Sequence, residues 1–106
     1  MTTAFDVLAE PTRRQILHVL LGGPLPVGQL SEVLGQSQPG TSRHLRILRD
    51  AGLVSVRQVA QQRWYELQPG PLAEIDAWLA PFRLEWSDRL ARLEDHLGGS
   101  EEAHIS

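Results

Sequence analysis

Gln36-Ser37-Gln38-Pro39-Gly40-Thr41-Ser42-Arg43-His44-Leu45-Arg46-Ile47-Leu48-Arg49-Asp50-Ala51-Gly52-Leu53-Val54 changes its hydrophobic period along its length. Thr41, Leu45, Leu48 and Gly52 stand at i, i+4, i+7 and i+11. That spacing predicts a helix over roughly Pro39 to Ala51 with one face packed on the domain. Pro39, Arg43, Arg46 and Asp50 point the other way, with Ser42 at the edge. An outer face with two arginines near its start is able to donate to base edges and to phosphates. An ordinary amphipathic helix with a charged solvent side has the same pattern, so the flanking chain must discriminate.

Upstream, Gln36-Ser37-Gln38-Pro39 reads as a tight turn and a helix start, preceded by a short helix, Val27 to Leu34. Leu30, Val33 and Leu34 give that helix a buried face, and Gly35 stops it. Before it, Pro11 suits a first helical turn; Ile16, Leu17, Val19, Leu20 and Leu21 follow until Gly22-Gly23-Pro24. The N-terminal half thus holds three or four short helices. Downstream of Gly52 the period becomes two. Leu53 to Val59 and Arg63 to Leu67 are rich in β-branched and aromatic residues, and the polar turn Ala60-Gln61-Gln62 joins them without the glycine a tight hairpin favours. The expected fold is mainly α with a small β-hairpin: a winged helix-turn-helix in which the outer-face helix reads and the hairpin is the wing.

From Pro71 the chain is helical again, with Leu72, Ile75, Leu79, Phe82, Trp86, Leu90, Leu93 and Leu97 stepping by three or four residues. About 26 helical residues span about 39 Å, more than a small domain's own surface covers, and the seam-like spacing favours a second copy. Pro81 should kink or divide the helix near Ala80. Residues 1–97 are assigned to one DNA-binding and dimerisation domain and the polar stretch 98–106 to a disordered tail.

The 106 residues include no cysteine, which excludes disulfides, thiolate metal sites and cysteine nucleophiles. Met1 to Asp6 lacks the regions of a signal peptide, and no apolar run approaches a membrane span, so a cytoplasmic protein with no membrane partner is expected. The net charge of −3 is unevenly spread. Residues 36–65 carry Arg43, Arg46, Arg49, Arg57 and Arg63 against Asp50 alone, whereas the flanking segments are acidic. A basic middle between acidic ends suggests one segment that meets an anion. Neither a phosphate-cradling glycine loop nor a metal-protease spacing is present, so an enzyme finds no support.

The stretch 36–54 closely resembles the reader-helix signature of the arsenic-repressor (ArsR/SmtB) family. Glu10-Pro11-Thr12-Arg13-Arg14-Gln15-Ile16-Leu17 is similar to its opening motif, and Arg63-Trp64-Tyr65-Glu66-Leu67 to its second wing strand. The resemblance spans roughly residues 4–97. It implies a winged-helix homodimer joined through N- and C-terminal helices, usually a repressor that leaves duplex DNA when an effector binds. The expected DNA contacts are Ser37, Gln38, Ser42, Arg43, His44 and Arg46 in the reader and Arg57, Gln62 and Arg63 in the wing. The expected dimer interface takes Phe5 and Leu8 with Leu79, Phe82, Trp86, Leu90 and Leu93.

The family's metal positions are checked one at a time. Its arsenic sensors place two cysteines where this chain has Pro26 and Gly28, and its zinc and cobalt sensors place last-helix ligands that fall here on Asp76, Trp78, Arg89 and Arg92. Apart from Asp76 none is a ligand, so no cofactor is expected and the effector is left open. An alternative keeps a nickel- or zinc-responsive regulator with a divalent metal held unconventionally: His18 and His96 are its candidates, the latter with His104, Glu94, Asp95, Glu101 and Glu102 nearby. A third reading, an interaction protein of the same fold without DNA binding, rests only on the isoelectric point of 5.7.

Overall fold

A computed structural model describes the backbone of residues 3–105 and the side chains of residues 3–97. The polar stretch 98–106, with His104, therefore lies outside the described side chains. The chain divides into two compact units, Met1–Ile75 and Asp76–Ser106.

The first unit begins with α1 (Ala4–Leu8), a helix the sequence reading did not single out. Its start is a capping box: the Asp6 amide donates to Thr3 Oγ1 at 3.2 Å, and the Thr3 amide donates to Asp6 Oδ2 at 3.0 Å. The backbone bond from Thr3, and then its hydroxyl, hold the Asp6 carboxyl below its ordinary value. The box is complete at neutral pH and is lost as pH falls through that lowered value. At the other end Arg13 Nη1 donates to Val7 O at 3.0 Å, and Arg14 Nη1 to Leu8 O at 2.6 Å and Ala9 O at 3.2 Å. These two arginines, from α2 (Pro11–Leu20), cover carbonyls that a five-residue helix leaves open.

α3 (Val27–Leu34) and α4 (Gln38–Asp50) form the helix-turn-helix. Gly35, at φ 66°, ends α3 with bonds from Gly35 N to Glu32 O and from Gln36 N to Ser31 O. Ser37 caps α4, its Oγ accepting from Gly40 N at 3.1 Å, so the helix starts one residue earlier than expected. Thr41, Leu45 and Leu48 are buried, as their spacing required. Gly52 ends α4 at φ 77°: its amide donates to Arg49 O, and the Leu53 amide reaches back to Leu48 O. A Cβ at Gly52 would meet only Pro71 Cγ at 3.5 Å, an ordinary contact, so the cost of a side chain there is conformational. Gly52→Ala is expected to destabilise the fold by about 1–2 kcal/mol, which a thermal melt should register as a loss of several degrees.

The hairpin comprises β2 (Val54–Val59) and β3 (Gln62–Leu67), antiparallel, with Val54 opposite Leu67 and Val59 opposite Gln62. Gln62 thus belongs to the second strand, and the turn is Ala60-Gln61, made without glycine by Ala60 at φ 57°. A two-residue strand, β1 (Leu25–Pro26), adds to β3 and makes the sheet three-stranded in the order β1-β3-β2. It is too short to show a period, and its proline, which lacks an N–H, suits an edge strand. Val7, Ile16, Leu30, Leu45, Leu48 and Leu53 have no exposed surface and draw all four helices and the sheet into one core.

α5 (Gly70–Ile105) begins in the first unit and supplies the described residues of the second. Pro81 lies inside it and does not divide it. Its missing N–H leaves only the Ala77 carbonyl without the usual donor. Along the second unit Leu79, Phe82, Trp86, Leu90 and Leu93 are all exposed in the single chain. At 3.6 residues per turn they fall within an arc of about 80°. Among the described residues no helix is long and apolar enough to cross a membrane.

Candidate nucleic-acid interface

Counted around α4 at about 100° per residue, the side chains divide into three faces. Thr41, Leu45 and Leu48 face the core. Gln38, Ser42, Arg46 and Arg49 form one exposed flank, and Pro39, Arg43 and Asp50 stand opposite the core. His44 lies on the remaining flank, half-buried, about 160° around from Ser42 and Arg46.

Two clefts join the reader flank to the wing. One, of about 380 Å³, is lined by Val27, Ser42, Arg46, Arg49, Arg63 and Tyr65. The other, of about 420 Å³, brings Gln38 at the start of α4 together with Gln61, Gln62 and Arg63 of the hairpin and Gln29 and Glu32 of α3, so that this cleft, unlike the first, has a carboxylate in its lining. Arg63 lines both. Alternation along β3 explains this: Arg63 shares its face with Tyr65, whose ring is buried on the domain side. Arg57 pairs with Trp64 on the opposite face and lines neither cleft.

Among the described residues the side chains of Arg43, Arg46, Arg49 and Arg63 have no ion pair and no hydrogen bond; the ion pairs there are Arg83–Asp76 at 2.8 Å and Arg89–Glu85 at 3.0 Å, both in α5. Three guanidinium groups thus converge on one cleft with no counter-charge, an arrangement that favours an anion. Arg49 and the glutamines Gln29 and Gln61 were not anticipated as site residues. Arg49 was legible, since 42, 46 and 49 run i, i+4, i+7. The glutamines carry no charge pattern, and only the fold gathers them.

Residues 10–56 match the sequence pattern of the bacterial regulatory proteins of the arsR family. A helix-turn-helix transcriptional regulator of Mycobacterium tuberculosis is 39% identical over 95 residues, spanning 90% of this chain and 89% of that protein. The chain belongs to the ArsR family. It is therefore a DNA-binding transcription regulator, of a family of regulators rather than enzymes. This ArsR-family chain is also 34% identical to the transcriptional repressor SdpR of Bacillus subtilis, over 77% of its own length and 91% of the repressor's. Its fold is similar to the homodimeric winged helix-turn-helix DNA-binding domain of a possible ArsR-family regulator from Mycobacterium bovis. That likeness has a TM-score of 0.61 and 26% identity, and covers 76% of this chain and 74% of the other.

At the positions where the resemblance placed metal ligands, the ArsR-family chain has other contacts. Pro26 pairs with Trp64 in the sheet, and Gly28 lies so close to α4 that a Cβ would stand 3.2 Å from Gln38 Nε2. Asp76 is held by Arg83, and Trp78 packs against Phe82 with ring centroids 4.8 Å apart. His18 is exposed on α2 and His96 on α5. Among the described residues no three His, Cys, Asp or Glu side chains gather as a metal site.

Proposed function

We propose that this regulator is a homodimer that represses transcription by binding an inverted-repeat operator. The observation that carries the reading is the cleft where Arg46 and Arg49 of the reader meet Arg63 of the wing without a counter-charge. A phosphate seated there would be gripped from both elements at once, fixing the register in which Gln38, Ser42 and Arg43 meet base edges and Ser37 and Gln62 flank them. Arg57, on the other face of the hairpin, offers the wing a second phosphate contact. The repressor sense follows the repressor from Bacillus subtilis, and the two-fold operator follows from pairing two copies about an axis.

The experiment is selection of duplex DNA from a random pool by the full chain, followed by a salt titration of the enriched sequence. An inverted repeat is expected, and Arg63→Ala should lower the slope of log affinity against log salt by about one unit. Enrichment of no sequence, or a slope unaltered by Arg63→Ala, would overturn the reading.

A further inference from the structure

Arg13 belongs to the opening motif of the chain, yet it lines neither cleft and no DNA contact is asked of it. Its guanidinium makes two bonds to different elements. Nη1 donates to Val7 O at the end of α1 at 3.0 Å, and Nε donates to His44 Nδ1 in the reader helix at 3.3 Å. One residue earlier, Thr12 Oγ1 accepts from Gln36 Nε2 at 3.3 Å, in the turn that sets the start of α4. The first turn of α2 therefore makes one polar bond to the turn before the reader, at Gln36, and one to the reader itself, at His44. The bond to His44 is directional, unlike the apolar contacts of Leu45 and Leu48, and so bears on the rotation of α4 about its own axis.

We propose that Arg13 and His44 act as positioning residues for sequence-specific DNA binding: their bond holds α4 at the rotation that presents Gln38, Ser42 and Arg46, and His44 itself does not contact DNA. Two observations place His44 in this role. It lies about 160° around the helix from Ser42 and Arg46. Its Nδ1 accepts from Arg13 Nε at 3.3 Å, so that this ring nitrogen is directed at α2. Because Arg13 also holds the end of α1, the same guanidinium connects the reader to the helix that carries Phe5 and Leu8. The inference rests on α4 being the reader, and its test separates the two.

Affinity for the enriched duplex and for a scrambled duplex of equal length is measured for wild type, Arg13→Met, His44→Phe, His44→Asn and the Arg13→Met/His44→Phe double variant. The bond is charge-assisted, so each of Arg13→Met and His44→Phe is expected to lose about tenfold of the specific affinity. Scrambled-duplex affinity should change little, because His44 touches no phosphate. The double variant should lose no more than either single one. His44→Asn, which returns an acceptor near the place of Nδ1, should recover most of the loss. Additive losses, or a loss at His44 with none at Arg13, would show a direct DNA contact and overturn the proposal. Nitrogen-15 spectra of the wild-type imidazole, free and DNA-bound, give a reading that no variant's folding disturbs: Nδ1 without a proton in both states supports the bond, and a protonated Nδ1 in either removes it. If the wild type enriches no duplex, the reader assignment falls and the inference with it; if it does and all variants bind alike, the inference alone fails.

Discussion

Replacing Arg43 and Arg46 together by alanine is expected to reduce operator affinity by about 10²–10⁴-fold, from about 1–3 kcal/mol for each side chain. Both are exposed, and neither side chain has an ion pair or hydrogen bond in the free chain, so no polar side-chain contact is lost with them. Their parts differ. Arg46 shares its cleft with Arg49 and Arg63, and removing it relieves like-charge repulsion; the free protein should melt at the same temperature or slightly higher. Arg43 stands opposite the core face of α4 and outside that cleft, so its loss should relax base preference more than it changes the salt slope. Fluorescence anisotropy on the enriched duplex and its scrambled counterpart measures both effects. Wild-type affinity in the double variant would remove α4 as the reader.

The helix-turn-helix and wing were legible because each carries its own period. Thr41, Leu45 and Leu48 repeat at helical spacing, the strands alternate, and Gly35 and Gly52 stop the helices at positive φ. What escaped notice either is short or acts across the fold. β1 has two residues and no period to detect, and α1 has five. Thr3 and Asp6, three apart, were the available sign of α1, since that spacing is a capping box. Arg13 and Arg14 stand in the sequence only as part of the opening motif, with nothing to say what they bond. Their bonds to α1 carbonyls and to His44 join residues up to 31 apart, which no local pattern encodes. The expected DNA contacts are likewise dispersed by the fold: Gln38, Ser42, Arg46, Gln62 and Arg63 line the two clefts, while Arg57 lines neither and helix rotation puts His44 on the other flank.

Leu90→Asp is expected to convert the protein to a monomer and to weaken operator binding by at least about 10²-fold, since two half-sites would no longer be held by one particle. Leu79, Phe82, Trp86, Leu90 and Leu93 recur at three- and four-residue steps along one narrow stripe, and all are exposed in the single chain. A helix with such a stripe gains little from propensity alone and is stabilised mainly by burying that face. A second copy offers the same stripe, with Phe5 and Leu8 of α1 as the further expected contacts, and two-fold pairing would place Leu90 in the seam. An aspartate there would have to be buried without a partner, at a cost of several kcal/mol. Leu84→Asp is the matched control. Leu84 is 70% exposed, more than any stripe residue, but lies about 160° around the helix from the centre of the stripe, so its variant should remain dimeric and bind normally. Light scattering at micromolar concentration distinguishes the outcomes: a monomeric wild type, or equal effects at positions 84 and 90, would show that the stripe is not the dimer seam.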